Sequence, residues 1–303
     1  MPRLVNVTAG TLPLHLRGFK AAIETWPKDM PDHASRLVNP MTTDQLGETL
    51  LWVSGLPRAL RIREGQGVPF AQLSVPKYKA FYTAIYAIAV ELTDKWMETN
   101  QSDRMKNVGA MMGRSQYYAR QRTIFGILDN ITSSSFNGID GVPLGSASHP
   151  TKTGTFSNIS TPETLSPGAL KQMTVDAALH KTWQDEPWEQ TFGWTLFTHT
   201  NLRPDAWEIL ESTLTAQEMS NTKNYLASAA GITGLVTTQY LSDTNAFTLV
   251  PNGSDNPLFE LKRGGIKVAH IPGTIDFTEQ WASKADYTVG WRGAWGVQTN
   301  AGA

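Results

Sequence analysis

The sequence predicts an α+β protein whose first ninety residues are extended and whose remainder mixes helices with strands. Three observations predict it. Residues 78–90 alternate with a period of two, and apolar residues recur at spacings of three and four over 105–128. From residue 193 onward, short strand-like runs alternate with capped helix starts. A length of 303 residues suits one large or two ordinary domains with a sizeable core.

Residues 1–49 read as an arm. Pro2, Pro13, Pro27, Pro31 and Pro40 punctuate it, and each restricts its predecessor to extended geometry. A short helix is expected over Leu16–Glu24, and Thr42-Thr43-Asp44 looks like an N-cap opening a brief turn through Leu51. So broken a segment cannot bury its own apolar residues. Leu12, Leu14, Phe19, Trp26 and Leu37 are therefore expected to pack elsewhere, on the chain's own domain or on another surface.

Residues 52–90 read as a long hairpin. Leu60, Ile62 and Glu64 alternate with Arg61 and Arg63, Gly65-Gln66-Gly67 provides a turn, and Val68–Val75 resumes the strand. Tyr78, Ala80, Tyr82, Ala84, Tyr86, Ile88 and Val90 share one parity, with Phe81 and Ile85 on the other. Two strands alone are marginal in water, so such a hairpin needs a partner surface.

Residues 91–132 are predicted to hold a long helix. Met105, Val108, Met111, Met112, Ser115, Tyr118, Ala119, Phe125 and Leu128 form one stripe, read as core packing. Gly109, Gly113 and Gly126 weaken the helix by about 1 kcal/mol each relative to Ala. Its other side is one-signed: Arg104, Lys106, Arg114, Arg120 and Arg122 stand with no acid between them. Such a face is either solvated and paired with acids elsewhere, or a surface that meets a polyanion weakly and without sequence preference.

A long polar connection follows over 133–166, of the kind that tends to be functional or interfacial. Ser166 then caps a helix with Pro167 at its first position, running to about 184. Gly193–His199 reads as a buried strand, and Asn201-Leu202-Arg203-Pro204-Asp205 leads into a helix over 204–214. Ile232–Thr238, Phe247–Val250 and Gly265–Ile271 are strand candidates. The final alternating run, 285–297, puts Tyr287, Val289 and Trp291 on one face.

Composition excludes several classes. The 26 basic and 27 acidic residues leave a formal charge of −1, which argues against a dedicated nucleic-acid binder. Forty per cent hydrophobic and 17% charged residues is a globular composition. Without cysteine there are no disulfides, thiolate metal sites or cysteine nucleophiles. The start, Met1–Thr8, has no apolar h-region, and the longest apolar stretch, Ala80–Val90, falls well short of the roughly 20 residues of a spanning helix. A soluble protein with no membrane partner is expected.

Catalytic equipment is not visible. His15, His33, His149, His180, His199 and His270 are spread so that no metal-binding spacing occurs. Ser146, near His149, lacks the second glycine of a nucleophile elbow. Neither a P-loop nor a G-x-G-x-x-G is present. Asp185-Glu186, between Trp183 and Trp188, resembles a glycosidase cluster, but adjacent acids diverge where a catalytic pair must converge. The ten tryptophans, Trp194, Trp207, Trp281, Trp291 and Trp295 among them, suit core filling, protein contacts or a sugar platform. No cofactor, metal site or catalytic residue is expected.

The element order, with several short motifs, resembles the major capsid protein of tailed bacteriophages, the Hong Kong 97-type fold shared with encapsulin shells. Within it the likeness is to the Mu-like major head subunit family. The motifs are Leu51-Trp52-Val53-Ser54-Gly55-Leu56-Pro57-Arg58, Val90-Glu91-Leu92-Thr93-Asp94 and Phe136-Asn137-Gly138. They continue with Asp140-Gly141, Leu144 and His149-Pro150 in a D-G-x-x-L-x-x-x-x-H-P run, then Leu165–Leu170 and Phe197–Pro204 with Ala206. The resemblance implies an N-terminal arm (1–49), an extended E-loop hairpin (50–90) and a peripheral domain with a long spine helix (91–194). An axial domain (195–272) and C-terminal strands returning to the peripheral domain (273–303) would complete it. It implies a non-enzymatic virion protein, assembled in the host cytoplasm, that self-assembles into hexamers and pentamers of an icosahedral shell around double-stranded DNA. Portal, scaffold and decoration proteins would be further partners. Arg61, Arg63, Glu64, Gln66 and Phe70 of the hairpin would contact neighbouring subunits, and Arg114, Arg120 and Arg122 would face the DNA. A cargo-loaded encapsulin-like nanocompartment and a Trp-rich carbohydrate-active or carbohydrate-binding protein are the alternatives.

Overall fold

The computed structural model describes residues 21–23, 30–52, 59, 61–62, 70, 77–93, 101–189, 191–211, 224, 226, 231–271 and 278–302. In chain order they form α1 (Ala34–Leu37), β1 (Asn39–Thr42), β2 (Gly47–Trp52), β3 (Lys77–Tyr82), β4 (Ala84–Thr93) and α2 (Gln101–Asp129). Next come β5 (His149–Pro150), β6 (Thr155–Phe156), α3 (Pro167–Ala178), β7 (Trp194–His199), α4 (Arg203–Glu211) and β8 (Ile232–Thr238). The chain closes with β9 (Phe247–Pro251), β10 (Leu258–Lys262), β11 (Lys267–Ile271), β12 (Thr278–Trp291) and β13 (Gln298–Asn300).

The 14-residue β12 organises the first sheet. Its first part runs antiparallel between β4 and β11, its last part beside β10, and β1 adds in parallel to β10. Tyr287, Val289 and Trp291 share a buried face, as their alternation predicts. A second sheet has the order β13-β9-β7-β8, with β7 and β8 parallel. The run Trp194-Thr195-Leu196-Phe197-Thr198 is buried throughout because this strand is covered on both faces. These sheets do not follow the expected boundaries. β10 and β11, inside the 195–272 block, belong to the first sheet, whereas β13 returns to the second and α3 packs against it.

Helix α2 packs across the first sheet. Its buried positions are Gly109, Met112, Gly113, Gln116, Tyr117, Gln121, Ile124, Phe125, Ile127 and Leu128. The expected stripe is corrected at Met111, which is 70% exposed. The buried phase runs through residues that hydrophobicity does not mark. A Cβ on Gly113 would lie 2.7 Å from the Ile23 carbonyl, and Gln116 Nε2 donates to the Ser283 carbonyl at 3.2 Å. Farther along, Phe125 and its neighbours share a core cluster with Leu37, Phe197, Val250, Leu258 and Trp291.

The expected arm is in part built into this body. α1 buries Ala34 and Leu37, and β1 pairs with β10 over Asn39–Thr42. Of the expected helix at 16–24, Ala21–Ile23 is helical, with Ile23 fully buried against α2 and β12; Leu12, Leu14, Phe19 and Trp26 lie outside the described residues. Thr42-Thr43-Asp44 opens no helical turn. Thr43 donates its amide to the Lys262 carbonyl, its hydroxyl accepts from the Gln45 amide, and strand β2 follows. α3 starts as predicted, with Ser166 Oγ accepting from the Ala169 amide and Pro167 in the first turn. It stops at Ala178 rather than 184, because His180 turns inward to Gly296 and Gln298.

Candidate functional site

The hairpin is made by β2 and β3, antiparallel from Gly47↔Tyr82 to Trp52↔Lys77. Its first strand is thus Gly47–Trp52, which begins inside the expected arm (1–49) and ends in the expected E-loop (50–90). Arg61, Ile62 and Phe70 are exposed, Phe70 almost entirely at 98%, and Arg61 and Ile62 lie in no strand. Arg63, Glu64 and Gln66 lie outside the described residues. On the inner face, Trp52 meets Trp183 and Trp295 edge-on at 5.0 and 5.5 Å, and Phe81 meets Phe259 at 5.0 Å.

The outer face of the hairpin is apolar and uncovered. Leu51 stands opposite Tyr78, with Tyr82 further along, and they are 58, 74 and 72% exposed. The single parity expected over 78–90 breaks at Thr83, whose amide and hydroxyl both donate to the Leu46 carbonyl. Past that point the exposed parity changes. Ile85 is exposed, whereas Tyr86, Ile88 and Val90 are half-buried over the helix. Such a run of exposed tyrosine and leucine on one strand pair, with Ile85 just beyond it on β4, is the composition of a contact surface.

The D-G-x-x-L-x-x-x-x-H-P run acquires a physical meaning in three dimensions. Its Asp140, Leu144 and His149 converge: the His149 ring lies 2.7 Å (Nδ1) from Asp140 Oδ2 and 3.1 Å (Nε2) from the Leu144 carbonyl. His149 and Asp140 are both buried, at 1 and 3% exposure. Ser146 Oγ accepts from the Ser148 amide, so this serine and histidine make a turn and a clasp and not a nucleophile and its base.

The three arginines of α2 part company. Arg120 donates to Glu260 from Nε and Nη2 at 2.7 and 2.8 Å, and from Nη1 to both Asp32 oxygens at 2.9 and 3.1 Å. Lys262 lies 3.2 Å from the same Glu260, which is fully buried. Burial works against the Arg120 charge, but Glu260 and then Asp32 outweigh it and hold the guanidinium ionised. Arg120 is thus an internal ion-pair partner, a correction to its expected DNA-facing place. Arg114 is exposed and donates to Tyr118 Oη at 2.6 Å, with its guanidinium over that ring; Arg122 is exposed. The signal that Arg120 differs lay in Asp32 and Glu260, far away in sequence.

A family model described as phage capsid protein matches residues 78–300. The chain belongs to the phage capsid protein family. It is a structural component of the virion and not an enzyme. Solved structures agree on the fold, the Hong Kong 97-type α+β capsid fold. The virus-like particle from Pyrococcus furiosus is similar at 10% identity and a TM-score of 0.57, over 94% of this chain and 99% of that one. The capsid of cyanophage P-SCSP1u gives 11% and 0.57, over 89% and 87%. The holo-SrpI encapsulin of Synechococcus elongatus gives 8% and 0.55, over 90% and 88%. No curated protein sequence matches the chain.

In this capsid protein the features that resembled enzyme parts serve the fold. Asp185, at φ 64°, accepts from Thr151 Oγ1 at 2.6 Å and from Thr153, bonds that hold its carboxyl below the usual range. Trp183, Trp194, Trp281, Trp291 and Trp295 pack in the core clusters, and Trp207 is partly exposed. Among the described residues, no group of three His, Asp or Glu side chains could hold a metal, and no helix is long and apolar enough to cross a membrane.

Proposed function

We propose that this chain is the major head subunit of a tailed phage of the Mu-like group. It assembles into hexamers and pentamers of an icosahedral shell that encloses double-stranded DNA. The observation that carries this reading is the uncovered face of Leu51, Tyr78 and Tyr82 on the hairpin, with Phe70 beyond it. Each large apolar side chain withdrawn from water contributes about 1.5–3 kcal/mol, so a neighbouring copy seated on this face gains several such increments. Arg61, Arg63, Glu64 and Gln66 belong to the same hairpin contact. Residues 1–49 act as the arm, 50–90 as the E-loop, 91–194 and 273–303 as the peripheral domain and 195–272 as the axial domain. The two sheets share strands across these limits.

Arg114 and Arg122 are the exposed guanidiniums assigned to weak phosphate contacts on the inner surface; the ion-paired Arg120 is not. Near-neutral net charge lets many copies pack closely, while local arginines meet the packaged polyanion. Portal, scaffold and decoration proteins complete the assembly.

Deleting Arg63–Val68 tests the assignment. The expected result is a folded subunit that forms no stable particles in light scattering and negative-stain images; particles of normal size and yield would overturn the hairpin's role. The encapsulin likeness favours one second reading, a nanocompartment. Purified particles that hold a cargo enzyme and no DNA would establish it instead.

A further inference from the structure

The hairpin does not rest on its aromatic contacts alone. Lys77 and Lys79, on one face of β3, donate from Nζ to the backbone carbonyls of Asp140 and Asn137. The receiving loop is a tight turn: the Gly138 amide donates to the Val142 carbonyl at 2.9 Å, and Ile139 is buried with Trp52, Phe81 and Phe259. Its single acidic side chain, Asp140, points inward to His149.

Both nitrogens of the His149 ring face acceptors. Nδ1 meets the Asp140 carboxylate, and Nε2 meets the Leu144 carbonyl at 3.1 Å and Asn158 Oδ1 at 3.2 Å. The Asn158 amide is oriented by its other bonds, with Oδ1 accepting from the Ser146 amide and Nδ2 donating to the Leu144 carbonyl. No donor is aimed at either nitrogen, so the ring is held between acceptors on both sides, with the Asp140 carboxyl at Nδ1. On the other side of the Phe156 ring lies His180, which burial keeps neutral by lowering its pKa to about 4. The Asp140 carboxyl and the two hairpin lysines thus meet at one loop.

We propose that the buried His149–Asp140 pair is a positioning latch for the hairpin: it fixes the loop carbonyls that Lys77 and Lys79 grip, and so sets the direction in which the hairpin leaves the body. The carboxylate that binds His149 and the carbonyl that binds Lys77 belong to one residue, so the first fixes the second. Burial lowers the Lys79 pKa while the Asp140 charge opposes it, which ties that lysine electrostatically to the same loop. The inference rests on the assembly reading, since direction matters because a neighbour must receive the hairpin.

The test uses the full chain with Lys77→Met/Lys79→Met, with His149→Gln, and with all three changes. Two readouts are taken: particle yield by sedimentation, and hydrogen exchange of the 137–143 loop in the unassembled subunit. The lysine variant is expected to keep the wild-type circular dichroism, to lose at least tenfold in particle yield and to exchange at least tenfold faster in the loop, since two charge-assisted bonds are lost. Adding His149→Gln should change particle yield little further, because both act through one contact, and Lys77→Arg/Lys79→Arg should restore most of it. His149→Gln alone tests the buried pair directly; should it fail to fold, the lysine and arginine variants still decide. Wild-type particle yield and loop exchange in the lysine variant would overturn the latch, as would a full independent defect from His149→Gln on top of it. If the wild-type chain forms no particles, the assembly reading fails, while loop exchange still judges the latch.

Discussion

Replacing Arg120 with Met separates a structural arginine from a DNA contact. The side chain makes four charged hydrogen bonds, two to Glu260 and two to Asp32. Glu260 is fully buried, so the change strands a carboxylate that keeps only Lys262 at 3.2 Å. Breaking a buried pair from one side costs about 3–5 kcal/mol, and the remaining lysine places the expected loss near the lower end, about 3 kcal/mol. The Asp32 side is 42% exposed and adds at most about 1 kcal/mol. For a chain of this size each kcal/mol lowers the melting temperature by roughly 2–4 °C, so the unassembled subunit should melt about 10 °C lower. Circular dichroism against temperature reads this directly. Arg120→Met with Glu260→Gln removes the stranded charge and should recover more than half of the loss. Wild-type melting of Arg120→Met combined with lost DNA retention would refute the ion-pair assignment and return Arg120 to the DNA-facing surface.

Other consequences can be checked in the same preparations. His180 has its pKa lowered to about 4 by burial, so its neutral form supports the fold fully above about 6.5, and this support is lost as pH falls toward 4; the loss reaches about 3 kcal/mol in denaturant titrations at pH 7 and 4, and His180→Asn should flatten it. Gly138→Ala would put a Cβ 2.1 Å from Trp291 Nε1 and should cost about 1–3 kcal/mol, whereas Gly126→Ala meets nothing within 4 Å on α2 and should stabilise by about 0.5–1 kcal/mol, both read as shifts in denaturation midpoint. Neutralising Arg114 and Arg122 together should reduce retained DNA in purified particles while leaving the subunit's melting temperature within about 1–2 °C, as surface changes do.

Elements set by local chemistry were legible in the sequence. Ser166-Pro167 starts a helix where a cap and a fixed φ coincide, and Ile232–Thr238 is a strand as its β-branched run predicts. Tyr287, Val289 and Trp291 face inward because an alternating run with one apolar parity has one way to be buried. What depended on distant partners was not legible. β2 lay hidden in a segment that looked like arm and turn, because pairing with β3 across 24 intervening residues defines it. Met111 read as core, yet the helix phase is decided by the Ile23 backbone and by carbonyls that the buried Gln116 satisfies. Leu258–Lys262 went unmarked as a strand for the same reason: its Glu260 looks solvent-facing until Arg120 and Lys262 arrive from elsewhere. Asp140, Leu144 and His149 were visible as one motif, but not that they bond to one another or that Asn158 joins them, since a loop has to fold back to bring them together.

The same contrast runs through the function. The body closes on itself at its centre: Arg120 pairs with Glu260 and Asp32, Trp194, Trp281 and Trp291 are buried, and Pro31 and Asp32 are clasped by α2 through Tyr117, Arg120 and Gln121. The hairpin does not. Its inner face is joined to the body by Trp52, Phe81, Lys77 and Lys79, while its outer face leaves Leu51, Tyr78 and Tyr82 in water. A folded monomer gains nothing from a rigidly aimed apolar surface, which costs conformational entropy and favours non-specific association. It becomes favourable when a second copy covers it, because a side chain already held in place loses little further freedom on binding. One such contact is modest, yet a closed shell repeats it at every subunit, and no copy can leave without breaking several at once. Rigid aim and incomplete burial on the same strand pair are thus two halves of one requirement, that the hairpin be fixed before its partner arrives.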